Sequence, residues 1–443
     1  MKPTRLLLGW VAALLALSIL LGALRALEFA VPGSASAVVW GLLLATLVVS
    51  VIDALGLLRK PAVRVRRQLP GSLLLGRWAE VQLWVEHDQG WPLALSLHDH
   101  PPAGLDTRQL PVDCLLPPAT ATSLSYGVRA TQRGTLQFAR CEVQLASRLG
   151  LWRLRRYLEC ADTLRVYPDF RRLTGGGLLA PEQWLGQLGI SQRPRRGQGL
   201  EFHQLREFRE GDSLRQIDWK ATARQRTPIA REYQDERDQQ IIFMLDCGRR
   251  MRSQDGELGH FEHALNACLL LSQVALRQGD AVGLLTFAGD RPLYLAPRKG
   301  QGQLNRLLNS VHDLQAGHRP ADFAAASDAL LARQSRRALV IWISNLGDEE
   351  PDDLLRALKR LTRQHRVLVA SLREELLDQL RLTPVSDFQQ ALSYCGAVGY
   401  LNDREQLHER LSAHGMAVLD ARPAQLGAQL ISRYLGWKKA GTL

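Results

Sequence analysis

The stretch Gln240-Ile241-Ile242-Phe243-Met244-Leu245-Asp246, followed by Cys247-Gly248-Arg249-Arg250-Met251, decides the fold of the C-terminal half of the chain. Its unbroken apolar run is typical of a strand that is buried on both faces, as in a parallel sheet. The run ends in one carboxylate, Asp246, and ligands of open α/β sheets bind outside such strand ends. Gly248 and Arg250 stand where a cation would prefer hydroxyl groups, so the local chemistry favours binding over catalysis.

The region from residue 236 to 443 alternates further apolar runs with amphipathic ones. We predict strands at 241–246, 281–287, 339–344, 367–370 and 417–419, and helices at 261–277, 302–314, 323–333, 352–363, 387–395 and 424–435. Strands separated by helices in this way indicate an α/β doubly wound domain with a parallel sheet.

Two long apolar runs open the chain, at 6–24 and 29–52, with 19 and 24 residues and no charge in the first. Roughly 20 helical residues cross a hydrocarbon core, so residues 1–58 are predicted to form a transmembrane helical hairpin. A cleaved signal peptide is a poorer fit, because a second apolar run follows so soon. Basic residues flank the hairpin at both ends, which predicts a multi-pass protein of the inner (cytoplasmic) membrane with both termini in the cytoplasm.

The composition supports this assignment. The chain has 443 residues, a hydrophobic fraction of 46% and a net charge of +12. A net positive charge is typical of proteins that bind nucleic acid or anionic lipid. Lipid is favoured here because Arg64, Arg66 and Arg67 follow the hairpin. We therefore predict no nucleic-acid partner. The six cysteines show no CxxC pair and no zinc spacing, as expected of reduced cytosolic thiols.

Residues 59–170 alternate polar and apolar side chains with a period of two. Runs such as 80–86, 93–98 and 135–145 are typical of half-buried strands, and Pro and Gly separate them. The spacing predicts an all-β sandwich of immunoglobulin-like shape. His98 and His100 could bind a metal, but a solvated polar turn is the simpler interpretation.

A connecting segment, 171–235, carries a dense motif from Gly199 to Arg224 in which opposite charges alternate with aromatic residues. Four of its residues fall near helical spacing: Arg215, Asp218, Trp219 and Arg224. Arginine pairs with carboxylates and stacks on indole rings, so this set could clamp two domains together. The alternative, a docking surface for a partner or an anion, stays open.

This motif resembles that of the bacterial domain-of-unknown-function family 58. The blocks Gly-Leu-Glu-Phe, Leu-Arg-Glu-Phe, Gly-Asp and Ile-Asp-Trp are all present, and the strand that ends in Asp246 follows. The resemblance implies a membrane hairpin, a β-rich region and a C-terminal von Willebrand A-like domain. It also implies a partner, a MoxR-type AAA+ ATPase, without defining a reaction.

Von Willebrand A-like domains hold Mg²⁺ through an Asp-x-Ser-x-Ser loop, a threonine and a further aspartate. Here Gly248 and Arg250 occupy the serine positions, and Asn345 stands where the last aspartate is expected. Too few hard oxygen ligands remain, so we predict a degenerate site and no cofactor. Asp322 and Asp348 are the candidates for compensating ligands.

The enzymatic alternatives lack partners for Asp246. Gly248 replaces the second carboxylate of an Asp-x-Asp phosphotransferase, and the chain has no GxxxxGK[ST] run. His260 and His263 lack the HExxH spacing and are interpreted as surface histidines. The sequence thus predicts a protein-interaction module rather than an enzyme, with Arg249 and Arg250 among the partner-binding residues. An Asp246-dependent hydrolase or phosphotransferase, or a metal-dependent adhesion-type domain, is the alternative.

Overall fold

The structure is a computed structural model, and it divides into two compact units, Met1–Tyr167 and Pro168–Leu443, which are described separately. The residues that it describes are 1–27, 32–58, 62–118, 120–169, 196–209, 212–234, 239–256, 258–347 and 351–442.

Two helices open the first unit, α1 (Arg5–Ala26) and α2 (Gly33–Leu58). Both are long and apolar enough to cross a membrane, and large apolar side chains on them face outward, such as Trp10 and Trp40 at 63% and 62% exposure. The predicted pair of apolar helices is confirmed. The second begins at Gly33, within the apolar run predicted at 29–52.

The helices contact the β region of the same unit. Asp53 Oδ1 accepts a hydrogen bond from Leu149 N at 3.0 Å, and Trp152 Nε1 donates to Ser50 O at 2.9 Å. Strand β1 (Lys2–Pro3) pairs with β10 (Trp152–Tyr167). The base of the hairpin is therefore attached to the β region by hydrogen bonds as well as by the chain.

The β region forms two antiparallel sheets, apart from one short parallel pairing. The remaining strands are β2 (Val63–Gln68), β3 (Leu73–Leu74), β4 (Trp78–His87), β5 (Leu93–Asp99), β6 (Leu105–Arg108), β7 (Val112–Leu116), β8 (Thr122–Ala130) and β9 (Gly134–Ala146). One sheet has the order β1-β10-β9-β5-β7, with β3 parallel to β10, and the other has the order β2-β4-β8-β6. Buried and exposed residues alternate along β4 and β5 as predicted.

A buried ion pair joins the two sheets, and it corrects the prediction of a solvated turn around His98 and His100. Residues 93–99 form a strand, and Asp99 is fully buried. Arg67 Nε donates to Asp99 Oδ2 at 2.7 Å, and Tyr126 OH donates to the same oxygen at 2.6 Å. His100 Nε2 lies 2.9 Å from Glu142 Oε2. The prediction was wrong because it was based on residue polarity, and polarity does not distinguish a buried carboxylate with charged partners from an exposed one.

The first element described in the second unit is an antiparallel ribbon of β11 (Arg196–Glu207) and β12 (Ile229–Gln234). A short helix, α3 (Trp219–Gln225), lies between them in the chain. The predicted connecting motif thus forms a small folded element.

A six-stranded α/β sheet follows, in the order β17-β16-β13-β18-β19-β20. All neighbours are parallel except β17, which runs antiparallel at one edge. The strands are β13 (Gln240–Asp246), β16 (Ala281–Phe287), β17 (Tyr294–Arg298), β18 (Leu339–Ser344), β19 (Arg366–Leu372) and β20 (Ala417–Ala421), and a separate ribbon comprises β14 (Gln254–Asp255) and β15 (Leu258–Gly259). The doubly wound sheet predicted from the apolar runs is therefore present.

Helices cover both faces of this sheet. They are α4 (His260–Arg277), α5 (Gln301–Val311), α6 (Phe323–Leu331), α7 (Pro351–Thr362), α8 (Glu375–Leu382), α9 (Phe388–Ala413) and α10 (Leu426–Lys439). One core contains α4, α5 and α10 side chains, and the other contains α6, α7 and the C-terminal part of α9. The sequence did not predict β17 and α8, and it ended α9 at 395, eighteen residues before its last residue, Ala413.

Candidate functional site

The carboxyl ends of β13 and β18 form the topological switch point of the sheet. From β13 the chain crosses to β16 on one side and later returns to β18 on the other. Ligands of doubly wound sheets bind at such a point. Asp246 ends β13 and Ser344 ends β18, so the sequence correctly placed Asp246 at the edge where a site is expected.

Asp246 is fully buried, and both of its carboxylate oxygens accept hydrogen bonds. Gly248 N donates to Oδ1 at 2.7 Å, and Ser344 Oγ donates to Oδ2 at 2.6 Å. Burial raises the pKa of Asp246, since the loss of hydration outweighs these bonds and the nearby Arg250 charge. The carboxylate therefore links two strand ends and is shielded from solvent.

Gly248 lies where no side chain fits. A Cβ atom there would stand 2.7 Å from Arg319 O, 2.9 Å from Ala288 Cβ and 3.0 Å from Asp246 Oδ1. The backbone of the neighbouring loop is fixed in this position, because Arg249 N donates to Arg319 O at 3.1 Å. The loop around Arg319 thus occupies the space that a serine side chain at 248 would need.

The two arginines after Gly248 differ in environment. Arg249 is exposed, whereas Arg250 is half-buried with its guanidinium carbon 5.3 Å from the centroid of the Phe323 ring. A guanidinium over an aromatic face is a favourable cation–π contact. Arg250 therefore packs inside the unit, and Arg249 is the one of the pair that a partner could reach.

Asn345 belongs to a polar cluster beside the switch point. Its Nδ2 donates to Glu374 Oε1 at 3.0 Å and lies 3.4 Å from His260 Nδ1. The other ring nitrogen of His260 lies 2.8 Å from Asp255 Oδ2. Ser253 Oγ also donates to Glu374 Oε1, at 2.9 Å.

This cluster corrects the prediction that His260 and His263 lie on the surface. Their exposed fractions are 0% and 8%, and burial lowers the pKa of His263 to about 4. Ser253, Asp255 and Glu374 were not predicted at all. Asp255 is in β14, Ser253 directly precedes that strand, and Glu374 directly precedes α8. These short segments carry no periodic pattern that would predict a site.

Within the described residues, the polar cluster sets no hydroxyl against a histidine. Ser253 donates to Glu374, while the His260 ring faces Asp255 and Asn345. The Glu374 oxygen that accepts from Ser253 also accepts from Asn345, so it is shared by two donors. The arrangement can instead hold loops from different parts of the chain together at the sheet edge.

The residues around Asp246 do not fit the Mg²⁺ site that the resemblance implies. Both Asp246 oxygens are engaged, Gly248 has no room for a hydroxyl group, and the positive Arg250 lies nearby. Asp322, a candidate compensating ligand, accepts from Ala325 N as the cap of α6. Asp348 lies outside the described residues. Among the residues that are described, no group of three His, Cys, Asp or Glu is placed to hold a metal ion.

The motif between β11 and β12 forms a second candidate surface. Its acidic residues are paired within the motif. Asp212 accepts hydrogen bonds from both terminal guanidinium nitrogens of Arg206, at 2.7 and 2.8 Å, and these bonds lower the pKa of Asp212 to about 2. Asp218 caps α3 by accepting from Lys220 N and Ala221 N, and also accepts from Arg231 Nε at 2.9 Å.

The apolar residues of the same motif face solvent. Leu214 and Trp219 are 73% and 71% exposed, and Lys220 and Arg224 are exposed beside them in sequence. The Arg215 side chain lies outside the described part. Within its own unit Trp219 is exposed, which suits the alternative, a docking surface; the clamp between two domains stays a prediction. We call Leu214, Trp219, Lys220 and Arg224 the motif surface.

Comparison with known proteins yields relatives without an assigned role. Two of these are the uncharacterized protein Rv1480 of Mycobacterium tuberculosis (strain ATCC 25618 / H37Rv), 26% identical over 176 residues, and the uncharacterized protein YeaD of Bacillus subtilis (strain 168), 23% identical over 172 residues. Each match covers 39% of this chain, and it spans 54% and 41% of the respective relative.

Two solved structures are distant matches. The crystal structure of the SpRpn10 VWA domain matches 44% of this chain and 93% of its own, at 15% identity and a TM-score of 0.28. Proximal thread matrix protein 1 from the mussel byssus matches 44% of this chain at 9% identity, also with a TM-score of 0.28. Such scores are too low to assign a fold, so the fold assignment rests on the strand order.

The family comparison is more informative. Residues 204–408, which include the motif surface, the switch point and most of α9, match the family described as "Protein of unknown function DUF58". This match confirms, for residues 204–408, the family that the motif predicts.

Proposed function

We propose that this chain is a membrane-anchored, cytoplasm-facing protein-interaction module. It acts with a MoxR-type AAA+ ATPase in the assembly or remodelling of envelope-associated proteins. Two apolar helices with basic flanks support the anchor and the orientation. In this proposal the β region is an immunoglobulin-like support and the α/β sheet is a von Willebrand A-like domain whose metal site has been lost.

The motif surface is the observation that carries the proposal. Tryptophan is among the residues that contribute most to binding energy at protein interfaces, yet Trp219 is 71% exposed here. Its helix is held in place by the Asp218 cap and the Asp218–Arg231 bond. A partner would meet an aromatic side chain on a fixed support, which reduces the entropy lost on binding.

The charges of this surface indicate the chemistry of the partner. Asp212 and Asp218 are paired within the motif, whereas Lys220 and Arg224 are exposed. An acidic segment with an apolar anchor on the ATPase would complement such a surface.

Binding of the purified ATPase to the full-length protein in detergent tests the proposal. Trp219→Ala should weaken the complex by at least tenfold, about 1.4 kcal/mol, without lowering the melting temperature. Trp91→Ala is the matched control, since Trp91 is a 44% exposed tryptophan of the other unit. Equal affinities for the wild type and Trp219→Ala would contradict the assignment of the motif surface.

The hydrolytic alternative is less well supported, because Asp246 is fully buried and engaged at both oxygens. Activity on phosphoester substrates that disappears in Asp246→Ala would nevertheless establish it. We expect no turnover by either protein.

A further inference from the structure

Helix α9 begins well before the residue that attaches it to the carboxyl edge of the sheet. Arg404, 2% exposed, donates to Leu346 O, to Leu372 O at 2.6 Å and to Asp420 Oδ1 at 2.7 Å. These acceptors lie at or just beyond the carboxyl ends of β18, β19 and β20. The helix is therefore attached to the edge at Arg404, and its first residue, Phe388, lies about 24 Å from Arg404 along the helix axis at 1.5 Å per residue. Ala397 is still buried, at 3% exposure, so the exposed start of α9 comprises residues 388–396.

The start of α9 and the preceding α8 carry exposed apolar side chains. Phe388 is 82% exposed, Leu382 is 76% exposed and Leu392 is 65% exposed, and Leu376 and Val385 are 59% and 49% exposed. We call these five residues the hairpin patch, because α8 and the start of α9 form a helical hairpin around 383–387. Several large apolar side chains exposed on one short helical hairpin are typical of an interaction site.

This part of α9 is also uncharged. Residues 388–402, FQQALSYCGAVGYLN, contain no Asp, Glu, Lys, Arg or His, although the chain as a whole has a net charge of +12. It offers no charged side chain that could pair with a strongly charged partner or with an anionic lipid surface. Two copies of the chain can share such a surface without bringing like charges together.

The spacing of the exposed residues fits a helix–helix seam. Phe388, Leu392, Cys395, Gly399 and Asn402 follow one another at intervals of four, three, four and three residues. This is the a/d spacing of a two-stranded coiled coil. The Cα of Gly399 faces open space, and so does that of Gly396, so a second helix can approach closely.

We propose that the hairpin patch is the contact between two copies of this chain, with the two α9 helices packed antiparallel about a two-fold axis at Cys395. Residue 395 is the midpoint of the 388–402 seam, and a two-fold contact places it opposite itself. The antiparallel arrangement puts the two basic chains at opposite ends of the seam, where their repulsion is smallest.

The area available is of the right size. The hairpin patch exposes on the order of 600 Å² of apolar surface, against about 800 Å² per partner in a standard interface. The seam residues outside the hairpin patch, Cys395, Gly399 and Asn402, are exposed and add to this area.

Cys395 provides a direct test, since it is exposed, whereas the other cysteines are buried or half-buried. A short bis-maleimide applied to the full-length protein in native membranes should yield a dimer, and Cys395→Ser should abolish it. Asn402→Cys in the Cys395→Ser background lies on the same seam. It should not cross-link to itself, because the two copies of residue 402 are separated by about 21 Å along the axis.

Charge insertion completes the test. Leu392→Glu should weaken self-association in detergent by about a hundredfold and leave the melting temperature unchanged. Leu214→Glu is the matched control, since it places the same charge at an equally exposed leucine of the motif surface. It should weaken ATPase binding and leave the dimer intact.

Dimers that persist in Leu392→Glu would overturn the proposal, as would equal self-cross-linking at residues 395 and 402. Loss of ATPase binding in Leu392→Glu with unchanged self-association would also overturn it and would make the hairpin patch a surface for the other protein.

Discussion

Gly248→Ser restores one hydroxyl of the magnesium loop, and the structure indicates that it will destabilise the protein instead of rebuilding a site. The new Cβ would stand 2.7 Å from Arg319 O, a backbone atom held by Arg249 N. Forcing extra atoms into a packed site costs about 1–3 kcal/mol. In a unit of this size each kcal/mol lowers the melting temperature by about 2–4 °C, so we expect a fall of about 2–12 °C.

Calorimetry of the full-length protein in detergent, with EDTA or with millimolar Mg²⁺, measures both effects. Gly248→Ala contains the same Cβ without the hydroxyl and should lose nearly as much stability. Gly302→Ser is the control, since a Cβ there meets nothing within 4 Å. A bound metal at 100 times its dissociation constant adds about 2.7 kcal/mol. An undiminished melting temperature for Gly248→Ser, or a rise in Mg²⁺ in either the variant or the wild type, would refute the reasoning.

Three further predictions concern charge. Burial lowers the pKa of His263 to about 4 in the folded protein, against about 6.5 in the unfolded chain. As the pH falls, the unfolded chain therefore binds the proton first. The free energy of unfolding should fall by up to about 3 kcal/mol from pH 6.5 to 4. His263→Leu should flatten that part of a melting-temperature profile and the exposed His414→Gln should not; identical profiles would contradict the assignment. Arg249→Glu should weaken ATPase binding about tenfold at unchanged stability, whereas Arg250→Glu should lower the melting temperature because it removes the Phe323 contact; the opposite pattern would reverse the two roles. A C-terminal alkaline phosphatase fusion should be inactive and a C-terminal fluorescent protein fusion should fluoresce, since basic residues flank both ends of the N-terminal helical hairpin. An active phosphatase would show the reverse orientation.

The sheet could be predicted because its signal is local. β13 and β18 are runs of apolar residues buried on both faces, and burial of both faces is what produces such runs. β17 and α8 escaped prediction because an edge strand and a short exposed helix need no continuous apolar face. The end of α9 was misplaced because its two halves meet different environments: Phe388 faces solvent, whereas Leu407 and Leu411 are in the core.

The residues of the candidate sites also differ in whether they could be predicted from the sequence. The position of Asp246 was predicted correctly, because the end of a strand can be read from the point in the sequence where its apolar run stops. The cluster of His260, Asp255 and Glu374 was not, because it joins residues 119 positions apart at the extremes, and only the folded topology brings them together. The exposure of Trp219 could not be predicted either, since aromatic residues among charges suit a buried stack and an open surface equally well.

The buried Arg404 connects helix α9 to the sheet edge. Its guanidinium is bound at the carboxyl ends of three strands, while the helix begins about 24 Å away along its axis, at Phe388. One of its acceptors, Leu346 O, is next in the chain to Asn345 of the polar cluster. The position of α9 and that of the loop at the switch point are therefore linked through one buried side chain.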